Sequence, residues 1–193
     1  MDLRTKKTLQ ALHNAFLELR AHKALEKITV KEISERAQIS KATFYLHYRD
    51  IYDLSDHLQQ DVIQNIFQSI SHPEAILNAP AYFTRELFHA FSSQYSLIQI
   101  LFAGSQASVL PFQIENTLRK QLFEMVPQIK DSPYVNVLLT YEVQGCYYAY
   151  LEHTKNTDME TILDAVTTAS EAVTQKIHEY CDQNGISKSP MPE

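Results

Sequence analysis

The chain has 193 residues, 45% of them hydrophobic, with a formal net charge of -6, three glycines, two cysteines and no tryptophan. These figures fit one or two globular domains, exclude a glycine-rich phosphate loop, and leave Cys146 and Cys181 without a disulfide framework or metal-ligand spacing. The charge is uneven: residues 1–49 hold ten Lys/Arg against five acids, and residues 50–193 hold the other seven against eighteen, so the basic head is the part suited to a polyanion.

The opening "MDLRTKKTLQ" carries charge with no apolar signal core behind it, and no apolar run reaches the roughly 18 residues that span a bilayer. A cytoplasmic protein without membrane contact is expected. Almost every segment then repeats its apolar residues at helical period. Leu9, Leu12, Phe16 and Leu19 predict a first helix over about 5–21. Thr29 followed by Glu32 is a capping-box pattern that starts a short helix carrying Ile33 and Ala37. Ser40 can cap an equally short third helix from Lys41 to about Tyr48. Asp50 can cap a fourth, with Ile51, Leu54, Leu58, Val62, Ile66 and Ile70 along one side.

"SHPEAILNAP", which holds Pro73 and Pro80, reads as a loop. Further helices are predicted near 81–94, 96–106, 111–126, 133–154 and 158–183. The expected fold is all-α, about nine helices. A three-helix helix-turn-helix domain spans 1–49, a larger helical domain 50–184, and a disordered tail 185–193.

The third helix has two faces. At 100° per residue Phe44 and Tyr48 share one side, suited to packing on Phe16, Ile33 and Ile39. Lys41, Ala42, Tyr45 and Leu46 form a continuous arc elsewhere, with Thr43 and His47 beside it. If Phe44 and Tyr48 point inward, that arc points out. It then holds what a recognition helix needs: Lys41 for guanine O6/N7, and Ala42 and Leu46 for thymine methyls. Hydroxyl and imidazole donors on Thr43, Tyr45 and His47 suit flanking phosphates, and Ser40 adds a hydroxyl at the helix N-terminus. The same spacing also fits an ordinary bundle helix with Leu46 buried.

Ile28 to Leu54, "ITVKEISERAQISKATFYLHYRDIYDL", resembles the DNA-binding domain of the TetR family of bacterial transcription regulators. The resemblance lies in the order Thr-x-x-x-Ile-[S/A]-x-x-Ala-x-[I/V]-Ser-x-x-Thr-[F/L]-Tyr-x-His-[F/Y] and covers about 50 residues of the chain. It implies that Thr29, Ser40, Thr43, Tyr45 and His47 hold phosphates while Lys41, Ala42 and Leu46 face bases. Two positions depart from the family pattern. Gln38 stands where Gly is common in the turn and is expected to be strained by about 1 kcal/mol. Ile51 stands near the place of a phosphate-binding Lys, so either Arg49 substitutes or the contact is missing. Arg4, Lys6 and Lys7 either reach a groove as an arm or form a solvated end.

One helix-turn-helix reads few base pairs, so a homodimer on a palindromic operator is expected. Ile162, Ala165, Val166, Ala169, Ala172, Val173, Ile177 and Tyr180 form one broad stripe, and Gly145 and Ala149 lie four apart on the preceding helix. These stripes either pair the last two helices between copies, as the resemblance implies, or close the monomer's core. The resemblance also implies a pocket for a small ligand of unknown identity. Phe88, Tyr141, Gln144 and Tyr148 are its candidate lining, although phenylalanine at helical spacing equally fills a core.

The expected function is therefore a dimeric transcription regulator, a repressor released by a small molecule. No H-E-x-x-H, nucleophile elbow or paired His/Glu pattern appears, so neither catalysis nor a metal or cofactor is expected. A helical adaptor that kept the fold but lost DNA affinity is the alternative, motivated by Gln38 and Ile51.

Overall fold

The computed structural model describes residues 2–186, which are helical with no strand among them. Its helices are α1 (Leu3–Arg20), α2 (Val30–Arg36), α3 (Lys41–Tyr45), α4 (Ile51–Gln68), α5 (Ala75–Asn78), α6 (Pro80–Ser93), α7 (Tyr95–Leu101), α8 (Val109–Met125), α9 (Pro133–His153) and α10 (Met159–Gln183), with short 3-10 turns between some of them. That is ten rather than about nine. The additional one, α5, is a single turn inside the proline-bounded stretch expected to be a loop, too short to show a period. No single helix among the described residues is long and apolar enough to cross a membrane.

The chain divides into two compact units. The first takes the residues up to Gln64 together with Gln94–Leu110; the second takes Asn65–Ser93 and the residues from Pro111 onward. The compact unit that holds the head is thus larger than the 1–49 segment.

In the first unit α1 packs on α2 and α7, and α2 on α3. Leu12, Phe16, Ile33, Phe44 and Leu54 are fully buried at its centre. Arg20, at the end of α1, is buried too and donates to the carbonyls of Lys23 (3.0 Å) and Ala103 (2.6 Å). Gln59, buried on α4, donates to the Leu101 carbonyl at 3.1 Å. These bonds satisfy backbone groups that a non-repeating link would otherwise leave unpaired.

In the second unit α6 and α9 both pack on α10. The broad stripe expected on α10 divides into two rows. Ile162, Val166, Val173 and Ile177 are buried, whereas Ala165, Ala169 and Ala172 are exposed. Gly185 and Ile186, expected in the tail, instead close α10. Gly185 has a φ of 64° and donates to the Asp182 carbonyl, and Ile186 donates to that of Cys181 at 2.9 Å. This left-handed cap needs glycine, and Ile186 packs against the core beside Cys181. The remainder of the tail, 187–193, lies outside the described residues.

Gln38 has a φ of 56°, left-handed backbone for a residue with a Cβ, as its place in the turn led us to expect. Gln38→Gly is therefore expected to stabilise the chain by roughly 0.5–1 kcal/mol in denaturant unfolding. A loss of similar size, as glycine gives in ordinary helical backbone, would contradict the strain.

Candidate nucleic-acid interface

The turn between α2 and α3 is set by local bonds. Thr29 forms the full capping box: the Glu32 N–H donates to its Oγ1 (3.2 Å), while its own N–H and hydroxyl donate to Glu32 Oε2 (3.1 and 2.9 Å). Lys23, then Thr29, holds the Glu32 carboxyl below its ordinary range. Past Gln38, Ser40 caps α3 by accepting from the Thr43 N–H at 3.0 Å. The regular helix ends at Tyr45, earlier than Tyr48, yet Leu46, His47 and Tyr48 still donate back to Ala42, Phe44 and Phe44 carbonyls. Helical winding thus reaches Tyr48, and the angular reading of the whole segment holds.

The burial pattern along it is an alternation of anchor and outward face. Phe44 is 0% exposed and Tyr48 is buried. Lys41, Ala42, Tyr45 (57%) and Leu46 (81%) are exposed, and Thr43 and His47 are half-buried. An 81% exposed leucine is not a bundle residue. The Ser40 and Thr43 hydroxyls share a hydrogen bond of 2.9 Å, which leaves one O–H of the two free to donate outward. Both donors of Thr29 go to Glu32, so its hydroxyl must turn before it can meet a phosphate.

Tyr48 is held by a 2.7 Å hydrogen bond between its hydroxyl and His13 Nε2 on α1. Burial, with Asp61 and Asp53 nearby, pushes the Tyr48 phenol up to about 12. Burial also lowers His13, against the opposing pull of Asp61. Arg4, Lys6 and Lys7 are exposed in the first turns of α1 rather than in an extended arm. Ile51 is buried, and Arg49 is exposed but bonded to Asp53.

The model of a family described as bacterial regulatory proteins, tetR family, matches residues 14–58. The chain carries a TetR-family helix-turn-helix domain. Among solved structures, a TetR transcriptional regulator from Rhodococcus sp. RHA1 is similar at 17% identity over 89% of this chain and 97% of that one, with a TM-score of 0.46. Comparison with curated proteins gives no match. The family match spans the last seven residues of α1, both short helices and the opening turns of α4. The residues past 58 lie outside it.

Beyond the TetR-family segment, the four candidate lining residues have different surroundings. Phe88 packs with Cys146 and Tyr150 against Ile162, Leu163 and Val166. Tyr141 and Tyr148 are exposed on α9, and Gln144 donates to Glu115 Oε2 at 3.1 Å. α9 is apolar on most sides, so its pattern could not say which side faces inward.

Two polar clusters went unnoticed in the sequence. Arg119 and Glu115 form a shielded pair at 2.7 Å, completed by Asn136, Thr140 and Gln144. Burial pushes Glu115 up, but Thr140, Arg119 and Gln144 outweigh it and bring the carboxyl below its ordinary value. Their i,i+4 spacing on α8 was the available signal. The second cluster joins Thr84 of α6 to Ser170 of α10 at 3.1 Å, with Glu142 of α9 bonded to Ser170. Burial pushes Glu142 up to about 7, and Ser170 only partly opposes it. Among the described residues no group of three or more His, Cys, Asp or Glu could hold a metal ion.

Glu142 makes stability depend on pH. Between its ordinary value of 4.5 and about 7 the folded chain binds more protons than the unfolded one. Its contribution is thus fully present below 4.5 and is lost as pH rises through about 7. Thermal unfolding at pH 5 and pH 8 should therefore show a larger drop in Tm for the native chain than for Glu142→Gln. Equal drops would contradict the burial of this carboxyl.

Proposed function

We propose that this chain is a dimeric DNA-binding transcription regulator rather than an enzyme, and that it represses from a palindromic operator until a small molecule releases it. The observation that carries the reading is the outward arc of residues 41–47, fixed from behind by buried Phe44 and Tyr48. Lys41 pairs with guanine O6/N7, and Ala42 and Leu46 contact thymine methyls. Ser40, Thr43, Tyr45 and His47 hold phosphates on either side, with Thr29 at the start of α2. Such a regulator meets its operator in the cytoplasm.

Pairing of two copies is supported by α9, which leaves Tyr134, Val137, Tyr141 and Tyr148 exposed at three-, four- and seven-residue steps. These residues share one side of the helix, with exposed Gly145 among them, where an added Cβ would meet nothing within 4 Å. A stripe of that kind is costly to leave in water, and its central glycine allows close helix approach. The exposed row Ala165, Ala169 and Ala172 on α10 is a second small-residue surface. A twofold pair would set the recognition helices on half-sites about 34–36 Å apart, and a ligand that favours another spacing would release the operator. The adaptor reading draws on Ile51, which is buried where a phosphate-binding cation would stand.

Lys41→Ala and Tyr45→Phe are both expected to weaken binding to a duplex selected by the native chain. The lysine change should also relax preference at one base pair by about 1–3 kcal/mol, read by anisotropy titration against single-base variants. Unchanged affinity for both would remove this helix from the interface and favour the adaptor. Tyr141→Asp should convert a dimer to a monomer in sedimentation. A variant that stays dimeric would move the contact elsewhere.

A further inference from the structure

Arg49 is the basic residue nearest the recognition segment on its C-terminal side, and its side chain is 86% exposed. It is nevertheless engaged. Its Nη2 and Nε donate to Asp53 Oδ1 at 2.9 and 3.3 Å, and its backbone N–H donates to Asp53 Oδ2 at 2.9 Å. Asp53 thus holds side chain and backbone of the same residue. Asp50 accepts from the Asp53 N–H at 2.9 Å, and Asp56 follows within a turn. Of the three carboxylates at the opening of α4, Asp53 is bonded to this guanidinium, and buried Ile51 beside it supplies no charge.

We propose that Asp53 restrains Arg49 from the DNA backbone, so that this ion pair sets how many phosphates the head neutralises. The inference rests on the DNA-binding reading above and goes beyond it by naming the residue that limits affinity. A guanidinium binds phosphate as readily as carboxylate, in both cases through two parallel donors. An exposed pair in water is weak, so the competition is one that a single substitution can tip. While Asp53 holds Arg49, the complex forms with one phosphate contact fewer and a shallower dependence on salt. Asn keeps the size of Asp53 and an oxygen to accept the Arg49 N–H, but not the charge that attracts the guanidinium.

The test uses the full chain, a duplex selected by it from a random pool, and a scrambled duplex of equal length, titrated by anisotropy across potassium chloride concentrations. Asp53→Asn should tighten binding on the order of two- to fivefold and steepen the slope of log affinity against log salt by about 0.9. Asp56→Asn removes the same charge on the same helix but frees no guanidinium, and should give a smaller gain. In an Arg49→Ala background the Asp53→Asn gain should shrink to the Asp56→Asn level. Equal gains from the two aspartate changes, or a gain that survives loss of Arg49, would overturn the proposal and leave only a general charge effect. A pool that yields no preferred duplex, with no variant that binds, would overturn the regulator reading itself.

Discussion

The head depends on the burial of two aromatic rings. α3 is five residues long, far too short to hold its shape by its own hydrogen bonds. Its orientation comes instead from Phe44, wholly buried where α3 packs on α2, and from Tyr48, pinned to His13. With those anchors in place every other side chain of the segment has only one direction left. The exposure of Leu46 and Tyr45, unfavourable for a free-standing domain, follows from that geometry.

Local chemistry then trims what the anchors set. The capping box at Thr29 and the Ser40 cap start two short helices where a helix-turn-helix needs them to start. The turn between them runs through left-handed backbone at Gln38, a strained choice that a glycine would avoid. At the far end the acidic opening of α4 neutralises the cation that follows the recognition segment. Strain in the turn points to a head that is not tuned for maximal stability.

The parts legible in the sequence were those governed by short-range rules. The inward and outward sides of residues 41–48, the capping box and the unusual turn at Gln38 each follow from angle, spacing or residue type over a few positions. What was not legible depends on partners distant in sequence. The α10 stripe looked like one broad apolar face, but neighbouring helices cover only the row of Ile162, Val166, Val173 and Ile177. Tyr141 and Tyr148 looked like a lining and lie on the surface, because an almost uniformly apolar α9 carries no record of which side is covered. Buried Arg20 and the Glu142–Ser170–Thr84 cluster could not be found from spacing, since Arg20 bonds to the Ala103 carbonyl in a link 83 residues on and the cluster joins three separate helices.

The most direct measurement is the salt dependence of binding by the native chain to its selected duplex beside a scrambled one. A basic head that lays this helix in the major groove should prefer the selected duplex by at least about a thousandfold. Its log affinity should fall steeply with log salt, by about 0.9 for each phosphate held. Weak binding of equal strength to both duplexes, with a shallow slope, would mean that the outward arc does not read DNA.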